Sequence, residues 1–147
     1  MNASNEMCEE LAGTYKDFRP YDKDTFVGYK LAERKGGPNY YSIVSGMFRY
    51  KPRWIKERSY SSLYEREQVH YEAHLYDKLS LFVRPEDAYD ALIAYEDIAN
   101  YETDLVMLEI TLKKDLEKAK YSNVSVQNKD VVIGSMMDRV KEIKFKR

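Results

Sequence analysis

The sequence predicts an α+β domain: a mostly antiparallel, twisted sheet of short strands with one main helix over about residues 85–98. Three observations carry this expectation. Short alternating or continuously apolar segments recur along the chain, turn residues separate them, and one segment opens with helix-start chemistry. With 147 residues, 44% hydrophobic and 33% charged, the chain has material for one core and reads as a single domain over 1–147.

Residues 1–20 are polar and read as an N-terminal arm or a short helix, with Asn5 capping Glu6–Leu11 and Gly13 stopping it. In 26–32, Val27, Tyr29 and Leu31 alternate against Gly28 and Lys30, the period of a half-buried strand. The following GGPN (36–39) is turn chemistry and Tyr40–Val44 is rich in β-branched and aromatic residues, so Val27–Leu31 and Tyr40–Val44 form a hairpin. Ser45 and Gly46 allow a bend into Met47–Tyr50, and Pro52 interrupts any ladder there. Residues 59–78 fit neither period and read as an irregular loop with room for a short strand.

Leu79–Val83 is a continuous apolar run, a core strand. It ends at Arg84-Pro85-Glu86-Asp87, where proline suits the first helical position and two carboxylates suit the positive end of a helix dipole. Asp104–Leu112 alternates as a strand. Residues 113–120 are expected as a helical turn or edge connection, and 124–126, 131–133 and 137–145 as three further short strands, for seven or eight in all.

Net charge is −1, which removes the global basic excess of a non-specific polyanion binder and makes duplex DNA a poor partner. The total conceals a pattern. Residues 1–28 carry 3 Lys/Arg and 6 Asp/Glu, residues 29–84 carry 11 and 6, and residues 85–147 carry 10 and 13. Within the basic middle, FRYKPRWIKER (48–58) sets Arg49, Lys51, Arg53, Lys56 and Arg58 against Glu57 alone, interleaved with Phe48, Tyr50 and Trp54. Arginine pairs bidentately with phosphate and aromatic faces stack on nucleobases, so this stretch has the ingredients of a nucleotide site. The competing reading makes Phe48 and Trp54 core anchors and the cations a solvated strand face.

The chain holds 14 tyrosines, and Tyr40, Tyr41, Tyr50, Tyr60, Tyr64, Tyr71 and Tyr76 fall in the same middle third, a density that suits an interface or a stacking pocket as well as strand propensity. His70 and His74 share one face in either regular structure, but HYEAH lacks the glutamate directly after the first histidine that a zincin needs, so they read as surface or packing residues and no metal is expected. No hydrolase, P-loop, dinucleotide or CxxC signature is present, and Cys8 lies in the polar arm, so no catalytic residue and no cofactor are assigned and the protein is not read as an enzyme. The single cysteine suits a reducing compartment, and the apolar runs are too short to span a bilayer, which together give a cytoplasmic expectation without a membrane partner.

The layout GYK (28–30), YSIVSG (41–46), RYK (49–51) and LSLFV-x-PEDA (79–88) resembles small phage and bacterial proteins of the Thoeris anti-defence type, sponges for nucleotide immune signals. The resemblance covers residues 26–98. It implies a phage-encoded, non-catalytic nucleotide binder assembled as a homo-oligomer in the host cytoplasm, with Tyr41, Arg49 and Lys51 near the ligand and Phe82 or Arg84 at the strand end. Together with the basic stretch, the expected ligand-binding set is Tyr41, Arg49, Tyr50, Lys51, Arg53, Trp54, Phe82 and Arg84. The alternative is a protein–protein inhibitor of a host defence complex that uses the Tyr-rich surface.

Overall fold

The computed structural model describes residues 13–43, 48–55, 75, 77–93 and 104–145. The elements in order are β1 (Thr14–Pro20), β2 (Thr25–Arg34), β3 (Tyr40–Tyr41), β4 (Arg53–Trp54), β5 (Leu79–Phe82), α1 (Pro85–Ile93), β6 (Leu105–Lys113), β7 (Glu117–Ser122), β8 (Lys129–Gly134) and β9 (Met136–Ile143). Among the described residues all strand pairings are antiparallel, in the order β1-β7-β8-β5-β2-β6-β9-β4, with β3 paired to β2.

The fold is therefore nearly all-β and not α+β: 56% of the described residues are in strands and 9% in one short helix. Two charged stretches account for the difference. Residues 117–122 form β7 because Ala119 and Tyr121 alternate inward while Lys118 points to solvent, and residues 14–20 of the expected arm pair with that strand as β1. Conversely, 124–126 is no strand. The Asn123 side-chain oxygen accepts the N–H groups of Ser125 (2.8 Å) and Val126 (3.0 Å), and this Asx turn replaces a ladder. The helix begins at Pro85 as expected, with Glu86 and Asp87 in its first turn; residues 94–98 of the expected span lie outside the described residues.

Connectivity dictates the shape. Only Ser135 separates β8 from β9, yet β5, β2 and β6 lie between those two strands in the sheet. The sheet must roll until its two halves face each other, and the chain turns the corner at Ser135. That corner is tied on three sides: Ser135 N donates to Lys114 O (3.0 Å), its hydroxyl to the Asp115 carboxylate (2.9 Å), and Ile55 N donates to Ser135 O (2.8 Å). The halves meet again where β2 and β5 share the single pair Tyr29 and Phe82. Just past it Lys30 Nζ donates to the Ser80 carbonyl (3.2 Å) across the opening seam.

Strand alternation sends neighbouring residues to two cores. Inside the roll lie Phe26, Leu79, Leu81, Leu108, Ile110, Leu112, Val132 and Met137; on the other face Leu31, Phe82, Met107, Tyr121, Val131 and Ile133 pack with Ala88 and Ala91 of α1. Burial on both faces explains why 131–133 is a continuous apolar run. β3 pairs with β2, β4 pairs with the edge of β9 away from β6, and Tyr50 and Ile55, on either side of β4, are buried in the inner core; the described part of this segment, residues 48–55, forms a strap from β3 to β9.

Candidate functional site

The β2–β3 hairpin turns through Lys35–Asn39, where Lys35 N donates to Asn39 O (2.8 Å) and the Asn39 side chain donates to Gly36 O (2.9 Å). The strand it delivers, β3, pairs in turn with residues 48–50. Ser42 N donates to Phe48 O, Tyr50 N to Tyr40 O, and Tyr41 stands directly opposite Arg49. Directly opposed residues on an antiparallel ladder share a face, so Tyr41 and Arg49 are side-chain neighbours. Lys35 Nζ lies over the Tyr41 ring, 4.9 Å from its centre.

Each of the two arginines is held by neutral groups. The Arg49 guanidinium donates to the side-chain oxygen of Asn39, while Arg53 donates to the Arg49 carbonyl (3.1 Å) and lies over the Phe48 ring at 4.9 Å. Phe48 rests edge-on against Tyr50, 5.5 Å between centres. Neither arginine meets a carboxylate among the described residues, and the Nε of each is buried without a hydrogen-bond partner. Burying a cation uncompensated is costly, and a buried donor left unpaired costs about 1–3 kcal/mol.

A third arginine shows what compensation looks like. Arg34 Nε and NH2 reach Asp104 at 2.8 and 2.6 Å, and NH1 reaches both oxygens of Glu142 at 3.0 and 3.2 Å. The hydrogen bond to Asp104, then the charges of Asp104 and Glu142, hold that guanidinium more firmly protonated than usual. Tyr40 joins the cluster. Burial foremost, then a hydrogen bond to Glu142 and that carboxylate's charge, raise its phenol above the ordinary 10.0, against the opposing charge of Arg34. A raised folded value means that this contribution to stability is complete below pH 10.0 and is lost as pH rises through the folded value. Tyr40→Phe is expected to flatten the alkaline limb of a stability–pH profile; wild type and variant losing stability in parallel above about pH 10 would contradict this.

The expected ligand set is thus partly assembled. Tyr41, Arg49, Tyr50 and Arg53 come together, but Tyr50 is only 3% exposed and serves as a core anchor. Arg53 pairs with the buried Met137 while Trp54 pairs with Met136, so Trp54 leaves the opposite face of β4, 53% exposed. Lys51 points to solvent. Phe82 and Arg84 stand apart: β5 is four positions from β4 in the sheet, Phe82 belongs to the other core, and Arg84 lies in the bend between β5 and α1 with its side chain on Glu86 (3.3 Å). Lys56, Arg58, Tyr60, Tyr64, Tyr71, Tyr76, His70, His74 and Cys8 lie outside the described residues. No group of His, Cys, Asp and Glu suited to a metal occurs among the described residues, nor does a helix long and apolar enough to cross a membrane. Lys35 and Asn39 had no assigned role in the sequence; their signal was the GGPN turn beside a basic strand.

The chain matches no family model, no curated protein and no solved structure.

Proposed function

We propose that the protein is a non-catalytic binder of a phosphate-bearing nucleotide, with a phosphoryl group seated between the guanidinium groups of Arg49 and Arg53. The observation that carries this reading is the contrast with Arg34: two half-buried cations are fixed by an amide, a carbonyl and an aromatic ring, which orient them, and among the described residues no carboxylate neutralises their charge. Donors oriented in advance and left without an anion are the arrangement a phosphate receptor requires. The base lies against Tyr41, the aromatic beside Arg49 on the same face. In the phage setting that the Thoeris-type resemblance implies, such a protein sequesters a nucleotide immune signal.

Calorimetric titration against cyclic and linear nucleotides tests this. A saturable complex is expected, weakened about 10–100-fold by Arg53→Ala. A panel with no ligand tighter than about millimolar would sink the proposal.

A second reading, docking of a host protein, is favoured by the half-exposed Trp54 on edge strand β4, since tryptophan at such a position suits a hot spot. On that reading Trp54→Ala abolishes capture of a defined host protein, and undiminished capture by the variant contradicts it.

A further inference from the structure

The two ends of the strand order are β4, beside the arginine seat, and β1. On β1 the exposed residues are Thr14, Lys16, Asp17, Arg19 and Pro20, while Tyr15 and Phe18 turn inward to the core that holds Tyr121. Lys16 and Arg19 are three residues apart, a spacing that regular pleating sends to opposite faces. A bulge brings them together. Lys16 faces Lys120 and Arg19 faces Lys118, so Asp17 and Phe18 share the one partner position of Ala119, and Asp17 takes a left-handed φ of 58°.

This register sets cation against cation twice, Lys16 on Lys120 and Arg19 on Lys118, and the hydroxyl pair Thr14 and Ser122 continues the same face. Directly opposed side chains on an antiparallel ladder start about 4.5–5.5 Å apart, and like charges there destabilise the pairing. Lys120 has a carboxylate, Asp130 at 2.6 Å, but Lys16, Arg19 and Lys118 have none among the described residues. Protection of an open edge accounts for Lys16, Arg19 and Pro20 on β1. It does not account for Lys118 and Lys120, because β7 is covered by β1 on one side and β8 on the other.

The chemistry of the face selects the anion that would relieve this repulsion. Its ammonium, guanidinium and hydroxyl groups are the donors that contact phosphate and sugar in nucleic acids; the Ser122 hydroxyl accepts from Asn128 N (2.8 Å) and keeps its own proton to donate. None of the exposed large apolar side chains Val27, Trp54, Val83 and Val124 lies on β1 or β7, so the face offers neither a protein hot spot nor a wedge for a lipid surface. Lys118 and Lys120 are two residues apart along β7, about 7 Å, which makes the patch compact. A flexible single strand can draw successive phosphates onto it. A stiff duplex cannot, and a net charge of −1 gives it no wider hold.

We infer that the exposed face of the β1–β7 ladder binds the phosphodiester backbone of single-stranded nucleic acid without reading its bases. Lys16, Arg19, Lys118 and Lys120 take the phosphates, with Thr14 and Ser122 beside them. This surface is separate from the Arg49–Arg53 seat and does not depend on it.

Fluorescence anisotropy of the intact protein tests this, using a labelled oligothymidylate of about 12 nucleotides without a terminal phosphate, at several salt concentrations and without divalent metal. Saturable binding is expected, with log affinity falling against log salt at a slope of about −2 to −3, as for three or four neutralised phosphates on a single strand. Lys16→Gln and Lys118→Gln should each weaken binding roughly 3–10-fold at low salt and reduce the slope by about 0.7, with an unfolding midpoint no lower than wild type, since each removes one of two opposed like charges. Arg53→Ala should leave oligonucleotide affinity within about twofold of wild type. No binding at about 50 mM salt, affinity unchanged in both lysine variants, or a loss that follows Arg53→Ala instead overturns the inference. Tighter binding of a duplex of the same length, of polyglutamate or of phosphatidylserine vesicles overturns it too, by giving the face to another partner.

Discussion

Gly28→Ala is expected to destabilise the fold by about 2–3 kcal/mol, lowering the unfolding midpoint by roughly 5–10 °C for a chain of this size. The sign is the informative part. In an ordinary strand, glycine to alanine is favourable, because glycine loses more backbone freedom on folding and offers no side chain to pack. Here a Cβ would lie 2.3 Å from the Phe26 ring, 2.8 Å from Leu81 Cβ and 2.8 Å from the Phe82 carbonyl oxygen. A ring tip can swing aside, but a Cβ and a main-chain oxygen of β5 cannot do so without moving the strand. Gly28 lies next to Tyr29, where the two halves of the rolled sheet share their single β2–β5 pair. Equilibrium unfolding of Gly28→Ala and Gly28→Val measures this directly. A variant as stable as wild type would mean that the halves do not approach at Gly28, and the rolled architecture would have to be redrawn.

Methionine in place of Arg53 is expected to leave the unliganded protein no less stable, and up to about 1 kcal/mol more stable, while weakening phosphate binding by roughly 100-fold. The substitution removes one of two like charges, relieves a buried unpaired Nε and keeps apolar volume over the Phe48 ring, where a thioether packs well. What it loses is one hydrogen bond to the Arg49 carbonyl. The same exchange at Arg34 should act in the opposite direction. Arg34 joins Asp104 and Glu142, and removing it leaves two carboxylates facing each other with Tyr40 beside them. Arg34→Met should therefore lower the unfolding midpoint and leave nucleotide affinity unchanged. Paired thermal unfolding and titration of the two variants measures all four outcomes. If Arg53→Met and Arg34→Met destabilise the unliganded protein alike, Arg49 and Arg53 are structural cations, and the proposed phosphate seat loses its support.

How much of this was legible in the sequence depends on how local each signal was. The strand and helix start at 79–87 were readable because an apolar run meets Pro85, Glu86 and Asp87, each suited to its place in the first helical turn. The turn at GGPN and the strand at 105–113 were readable from turn chemistry and alternation, but the hairpin's pairing was not: Glu33 and Arg34 pair with Tyr41 and Tyr40, while Val27–Leu31, expected opposite Tyr40–Val44, pair with Thr111–Met107 of β6. By contrast β1 and β7 are short and charged, and only their pairing with each other, and of β7 with the apolar β8, makes them strands. Without that partner, 113–120 resembles a surface connection. The roll was hidden for a different reason: nothing local to Gly134 and Ser135 says that the strands on either side belong to opposite halves of the sheet. At the site, the charge excess of 48–58 located the arginines, yet it could not sort the aromatics. Tyr50 became a core anchor and Trp54 a surface residue because residues 49 and 50 pair with β3 whereas 53 and 54 pair with β9. The clamp on Arg34 joins residues 70 and 108 positions apart, a separation at which no local pattern survives.

The proposed phosphate seat rests on the two buried guanidinium Nε–H groups of Arg49 and Arg53, and these can be observed one by one. In nitrogen-15 correlation spectra of the arginine side chains, assigned by single Arg→Lys variants, both Nε–H resonances are expected to shift together and saturably as adenosine diphosphate is added, while the Arg34 resonance stays in place. Signals from Arg49 and Arg53 that remain unmoved through the titration, or that drift linearly with ionic strength along with every other arginine, would contradict the proposal that Arg49 and Arg53 hold a phosphate.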